Sequence, residues 1–192
     1  MNKFLIIFTL FIASCSMEPI PSDKYYQLNN LKSENEFFDT QINEDFRIKK
    51  TKSQGVFNSQ EILFYNSDNF QKYNTFLWVD RPSNMIDRIF IEKISNSKPF
   101  TGNLIDQEDR AKSDLDITIT ILEIYHGING QKSKVTLSID LYNHKEKQKV
   151  FSNISVKEFV TSDDLSSFVS LANTEINQIL DSFLVDIINL YN

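Results

Sequence analysis

One cysteine, two histidines, four glycines and four prolines are all that this 192-residue chain holds of the residue types most often tied to cross-links, metals, phosphate loops and sharp turns. A single cysteine excludes an intrachain disulfide. Neither His126 nor His144 has a cysteine or histidine at metal-ligand spacing, and both fall in expected hairpin turns, so they read as ordinary turn histidines. So little glycine leaves no Gly-rich phosphate loop and no Gly-x-Ser-x-Gly nucleophile elbow. The formal net charge of −6 and the short, interrupted basic clusters at 49–52 and 144–149 argue against a nucleic-acid stripe. No apolar run approaches the roughly 20 residues that a membrane span needs.

The apolar run that is present, Phe4 to Phe11, follows Lys3 and is closed by Ile12, Ala13, Ser14 and Cys15. A short positive n-region, an h-region of about ten residues and small residues before a cysteine read as a lipoprotein signal peptide over 1–14. Ile12, Ala13 and Ser14 form the lipobox, and Cys15 is the thiol that takes diacylglycerol and becomes the new N-terminus. The competing reading places Cys15 by chance near the end of an ordinary secretory signal, which leaves an exported, unpaired thiol unexplained. Diacylglycerol and an N-acyl chain on Cys15 are the only non-protein groups expected, with no metal or cofactor. Ser16, where an aspartate would resemble an inner-membrane retention signal, directs the expectation to the periplasmic face of the outer membrane.

Residues 15–24 carry Pro19 and Pro21 among polar residues and read as an extended lipidated tether. About ten residues at roughly 3 Å each hold a domain within about 30 Å of the lipid surface. The remainder, 25–192, is expected to form a single domain. Strands are expected at Tyr25 to Leu28, Phe46 to Lys49, Glu61 to Tyr65 and Tyr73 to Val79, with residues 29–45 as a loop and the 61–79 segment as a hairpin covered on both faces. Pro82 opens a helix over about 82–95, capped by Asp80 or Ser83, and Phe100 to Ile105 reads as a short edge strand.

The C-terminal half has the strongest periodicity. Leu115, Ile117, Ile119 and Ile121 alternate with polar residues, then the pattern slips to Leu122 and Ile124, which signals a bulge. Val135 to Leu141 and Val150 to Val160 complete a three-stranded meander. Thr161 to Asp164 has capping-box spacing, and the apolar steps from Leu165 to Ile188 predict a closing helix of about 25 residues. The stripe of that helix widens after Ile176, which suits burial on the sheet or a homo-oligomer contact. The expected class is therefore α/β (α+β): a mixed, largely antiparallel sheet with a C-terminal strand meander, packed by a central helix and a long C-terminal amphipathic helix. Asp106, Glu108, Asp109, Asp114 and Asp116 lack the regular spacing of a calcium loop and read as a solvated loop. Tyr73, Phe76 and Trp78 are candidates for contact with a partner or a lipid tail, against the alternative that aromatic strand residues are core.

The lipidated cysteine, the Tyr-Tyr-x-Leu strand (Tyr25, Tyr26, Leu28), Ile62-Leu63-Phe64-Tyr65, the segment from Tyr73 to Trp78, the Pro-x-x-Met-Ile helix start (Pro82, Met85, Ile86), the meander and the closing helix come in a characteristic order. Together they resemble the ABC-type transport auxiliary lipoproteins, a group that includes paraquat-inducible protein C and the lipoproteins of MCE (mammalian cell entry) lipid transport systems. The chain departs from that pattern in its long acidic link over 29–45 and in Val79-Asp80-Arg81-Pro82 after Trp78, where family members carry a Trp-Ala/Ser step. The resemblance implies a non-catalytic partner of a lipid-moving transporter, working with an MCE-domain protein, a permease and an ATPase. Two other classes fit a lipid-anchored domain of this size: a structural or regulatory lipoprotein of another envelope assembly, and a lipoprotein enzyme.

Overall fold

The computed structural model describes residues 22–32, 38, 40–162 and 164–191. Seven strands, β1 (Lys24–Tyr26), β2 (Phe46–Ser53), β3 (Glu61–Asn66), β4 (Asn69–Trp78), β5 (Leu115–Gly127), β6 (Ser133–Asn143) and β7 (Gln148–Phe159), form one sheet. Two helices, α1 (Pro82–Ser97) and α2 (Leu165–Tyr191), pack on it. The architecture is mixed α+β, as the periodicities predict.

The meander explains itself residue by residue. Leu115, Ile117, Ile119 and Ile121 of β5 meet Asn143, Leu141, Ile139 and Leu137 of β6 on one face, and all but Asn143 are apolar core. The register shifts between Ile121 and Glu123, so the slip in the alternation is a real bulge that carries Ile124 back to the core side. β6 then pairs antiparallel with β7 from Ser133↔Phe159 to Asn143↔Gln148. The turn between β5 and β6 starts later than expected, because β5 runs through His126 to Gly127. A Cβ at Gly127 would lie 2.3 Å from the Lys132 carbonyl oxygen, so only glycine lets the two backbones approach there.

The remaining pairings are non-local. β2 lies parallel to the first half of β5, Phe46↔Leu115 to Ser53↔Ile121, and β3 lies parallel to its end, Phe64↔His126 and Tyr65↔Gly127. β3 and β4 form the expected hairpin, and β1 adds parallel to β4 with Tyr25 beside Leu77. The hairpin is not covered on both faces: Asn69 to Lys72 and Asn74 are exposed. Its tip, between Asn66 and Asn69, runs past the last β5 pairing at Tyr65↔Gly127. Phe100 to Ile105 is not a strand; it makes isolated parallel bridges, Ile42↔Phe100 and Phe46↔Leu104, beside the loop that enters β2.

α1 begins on Pro82 with Arg81 at the cap position and no side-chain cap. The two expected caps are engaged elsewhere. Asp80 accepts from the Asn84 amide at 2.9 Å, while the Ser83 hydroxyl donates to Asn58 at 2.9 Å. The helix runs to Ser97 and stops on Lys98, which has φ 47° and gives its N–H to the Ile94 carbonyl. α2 is 27 residues long. Asp164 is itself its cap, accepting the N–H groups of Ser166 at 3.3 Å and Ser167 at 3.2 Å, whereas Thr161 bonds Ser133 across the turn. The carboxylate is thus at the helix N-terminus, but not in a capping box. Ile176, Ile179, Leu180, Phe183, Leu184, Ile187 and Ile188 are all buried, so the widened stripe is largely core, with Leu190 exposed beyond it. Between the helices, the buried Lys93 ammonium reaches Asp181 at 2.8 Å and the Leu31 carbonyl at 3.3 Å, which ties both helices to the loop after β1. That loop is held further by the Asn173 and Asn177 side chains, which accept from the N–H groups of Asn29 and Leu31.

Candidate functional site

Ile12, Ala13, Ser14, Cys15 and Ser16 lie outside the described residues. The first described strand, β1, sits at one rim of the sheet.

The aromatic segment divides. Trp78 is 2% exposed and packs against Phe168 with ring centroids 6.3 Å apart, which makes it core rather than a contact residue. Tyr73 and Phe76 are half-buried, 5.4 Å from one another, and Phe76 meets Tyr26 edge-on at 6.1 Å. They are brought together by a register irregularity: Leu63 pairs with Lys72 while Glu61 pairs with Leu77, so β4 carries extra residues between the two points.

His126 is not a turn histidine. It is 0% exposed at the end of β5, with Nδ1 2.8 Å from the Tyr73 hydroxyl and Nε2 3.2 Å from the Ser162 carbonyl oxygen. A carbonyl only accepts, so Nε2 carries the proton and, in the neutral ring, Nδ1 accepts from Tyr73. The ring also stacks on Phe168 at 5.2 Å. His126 therefore joins β4, β5 and the entry to α2, a joint in the fold rather than an exposed base.

The other polar cluster centres on Asp116, 2% exposed. Its carboxylate receives the Ser113 hydroxyl at 2.6 Å, the Lys49 ammonium at 2.9 Å and His144 Nε2 at 2.8 Å. Burial pushes this carboxyl up, and the hydrogen bonds from Ser113, Lys49 and His144 outweigh it, holding it below the ordinary aspartate value. His144 lies in the β6–β7 turn, as expected. A groove of about 430 Å³ opens beside the cluster, lined by Arg47, Arg110, Ala111, Lys112, Ser113 and His144. The Arg47 guanidinium donates to the carbonyls of Asp106, Asp109 and Ala111 and so pins that loop. Asp106 and Asp109 accept from the N–H groups of Glu108 and Ala111 in local turns. Among the described residues no group of three or more His, Cys, Asp or Glu side chains could hold a metal ion.

The cluster predicts an acid-dependent stability. A carboxyl held below its ordinary pKa, about 3.9, stabilises the fold above that value and loses the contribution as pH falls through the lower folded one. Asp116→Asn is expected to cost about 2 kcal/mol at neutral pH and to flatten the acid limb of urea-unfolding free energy. Parallel acid limbs in the two proteins would contradict this role.

No protein-family model matches the chain, and no curated protein matches it. Solved structures do. A Xanthomonas campestris protein of the family model DUF330 is 13% identical, superposes with a TM-score of 0.69, and is matched over 84% of this chain and 92% of its own. An uncharacterized protein, 14% identical, superposes at 0.66 over 87% of this chain and 99% of its own. The fold is shared with a DUF330 protein. At these identities the likeness extends to the fold and no further.

Proposed function

We propose that the chain is a membrane-anchored, non-catalytic auxiliary lipoprotein of an MCE-type ABC lipid transport system, held at the periplasmic face of the outer membrane by acyl chains on Cys15. The observation that carries this reading is a conjunction in one chain. A lipobox ends on the only cysteine, a two-proline tether follows, and the domain then presents the element order of the ABC-type transport auxiliary lipoproteins. A fold shared with a DUF330 structure over 84% of the chain supports the second half of that conjunction as far as the fold goes.

The physical logic is positional. Transfer of a lipid between membranes needs the accepting or delivering end of the machine to stay at a bilayer, and an acylated cysteine with a reach of about 30 Å holds a folded domain there. The polar clusters described above suit such a role, because Asp116 and His126 lock strands together and leave the domain to act through its surface. The MCE-domain protein, the permease and the ATPase supply the conduit and the energy.

Deletion of the gene is expected to raise sensitivity to detergents and to alter outer-membrane lipid composition. The wild-type chain restores both, and Cys15→Ala restores neither. A deletion strain with normal lipids and normal detergent tolerance would overturn the reading.

A further inference from the structure

We propose that the free edge of β7 is a self-association surface, at which two copies of the chain pair antiparallel about a twofold axis through Ser155. β7 is hydrogen-bonded to β6 on one side, and no strand among the described residues pairs with the other. Its 12 residues present an edge about 40 Å long. Proteins blunt such edges with proline, very short strands, bulges, charged side chains or a covering element. The opposite rim follows that rule, since β1 has three residues. β7 follows it only weakly: it has no proline, its one irregularity, between the pairs of Leu141 and Tyr142, lies near its start, and its charged Lys149, Lys157 and Glu158 are already paired within the chain with Asp140, Glu175 and Lys132. Beyond that point Ile154, Val156 and Val160 are 59%, 51% and 71% exposed.

The occupant follows from the self-complementarity of this strand. Directly opposed residues in an antiparallel pair share a face, and each residue faces its mirror position about the axis. With the axis at Ser155, Ile154 meets Val156 of the second copy twice over on the open face, and Phe151 meets Phe159 on the helix-bearing face. Asn153 then faces Lys157, and Ser152 faces Glu158. An axis one residue earlier opposes Phe151 to Lys157 and Val156 to Ser152, and leaves Ile154 against its own copy as the one apolar pair among these residues. The symmetry closes after two copies, so the edge that pairs is consumed and no fibre grows.

Disulfide trapping in the membrane-anchored full chain tests this. Antiparallel pairs have Cα atoms about 4.5–5.5 Å apart, inside the range that a disulfide spans. Ser155→Cys is expected to give a reducible homodimer on mild oxidation, at least tenfold more than Ser170→Cys on the exposed side of α2, and the band must depend on the introduced thiol. Adding Ile154→Lys to the Ser155→Cys chain is expected to reduce trapping about tenfold while circular dichroism is unchanged. Three results would each overturn the proposal: no homodimer from Ser155→Cys, trapping indifferent to Ile154→Lys, or an adduct whose mass shows that the edge receives a strand from a different protein.

Discussion

Cys15→Ala is expected to abolish incorporation of labelled palmitate and to move the protein from the membrane pellet to the soluble periplasmic fraction. Each buried acyl methylene contributes about 0.8 kcal/mol, and a single chain gives only marginal, reversible binding with an association constant of roughly 10⁴ M⁻¹. Two or three chains on one cysteine turn that into lasting attachment, so loss of the thiol is close to all-or-none. Among the described residues no helix is long and apolar enough to cross a membrane, so none of the described helices supplies a substitute span. Equal labelling of the wild type and the variant would refute the lipobox.

Within the folded domain the largest expected loss comes from Phe168→Ala, about 3–5 kcal/mol in urea unfolding at neutral pH. Phe168 is 0% exposed and stands where four elements meet: it stacks on His126 of β5 at 5.2 Å and lies 6.3 Å from both Trp78 of β4 and Phe159 of β7. Truncation leaves a cavity bounded by rigid rings, and the His126 ring loses the surface that orients it between Tyr73 and Ser162. The exposed Val56→Ala serves as the comparison and is expected to change stability by less than about 0.5 kcal/mol. A cost below about 1 kcal/mol for Phe168→Ala would mean that this joint is not a centre of the core.

What could be read ahead of the structure follows from how local each signal is. The meander was legible because alternation and turn residues act within a few positions, and even its bulge left a trace in the slip from Ile121 to Ile124. α2 was legible because its apolar steps repeat over many turns. The parallel pairings of β1 with β4 and of β2 and β3 with β5 left no such mark, since parallel neighbours are joined by long crossovers rather than by turns. His126 was misplaced because His-Gly-Ile-Asn-Gly has the composition of a turn, whereas Gly127 is needed for backbone approach inside the ladder and the turn comes after it. The irregular register of β4 hid the shared face of Tyr73 and Phe76 behind an apparent change of parity. Of the candidate site, Cys15 belongs wholly to sequence chemistry, while the cluster of Lys49, Asp116 and His144 exists only once β2, β5 and the β6–β7 turn are assembled.

The role assigned to the chain stands or falls on its partner. Crosslinking of the anchored, full-length protein in intact cells, followed by mass spectrometry of what it carries, is the direct measurement. The account predicts an MCE-domain protein among the crosslinked species, with its permease and ATPase recovered in the same assembly. Recovery of peptidoglycan synthases or an outer-membrane pore, with no MCE-domain protein, would contradict it.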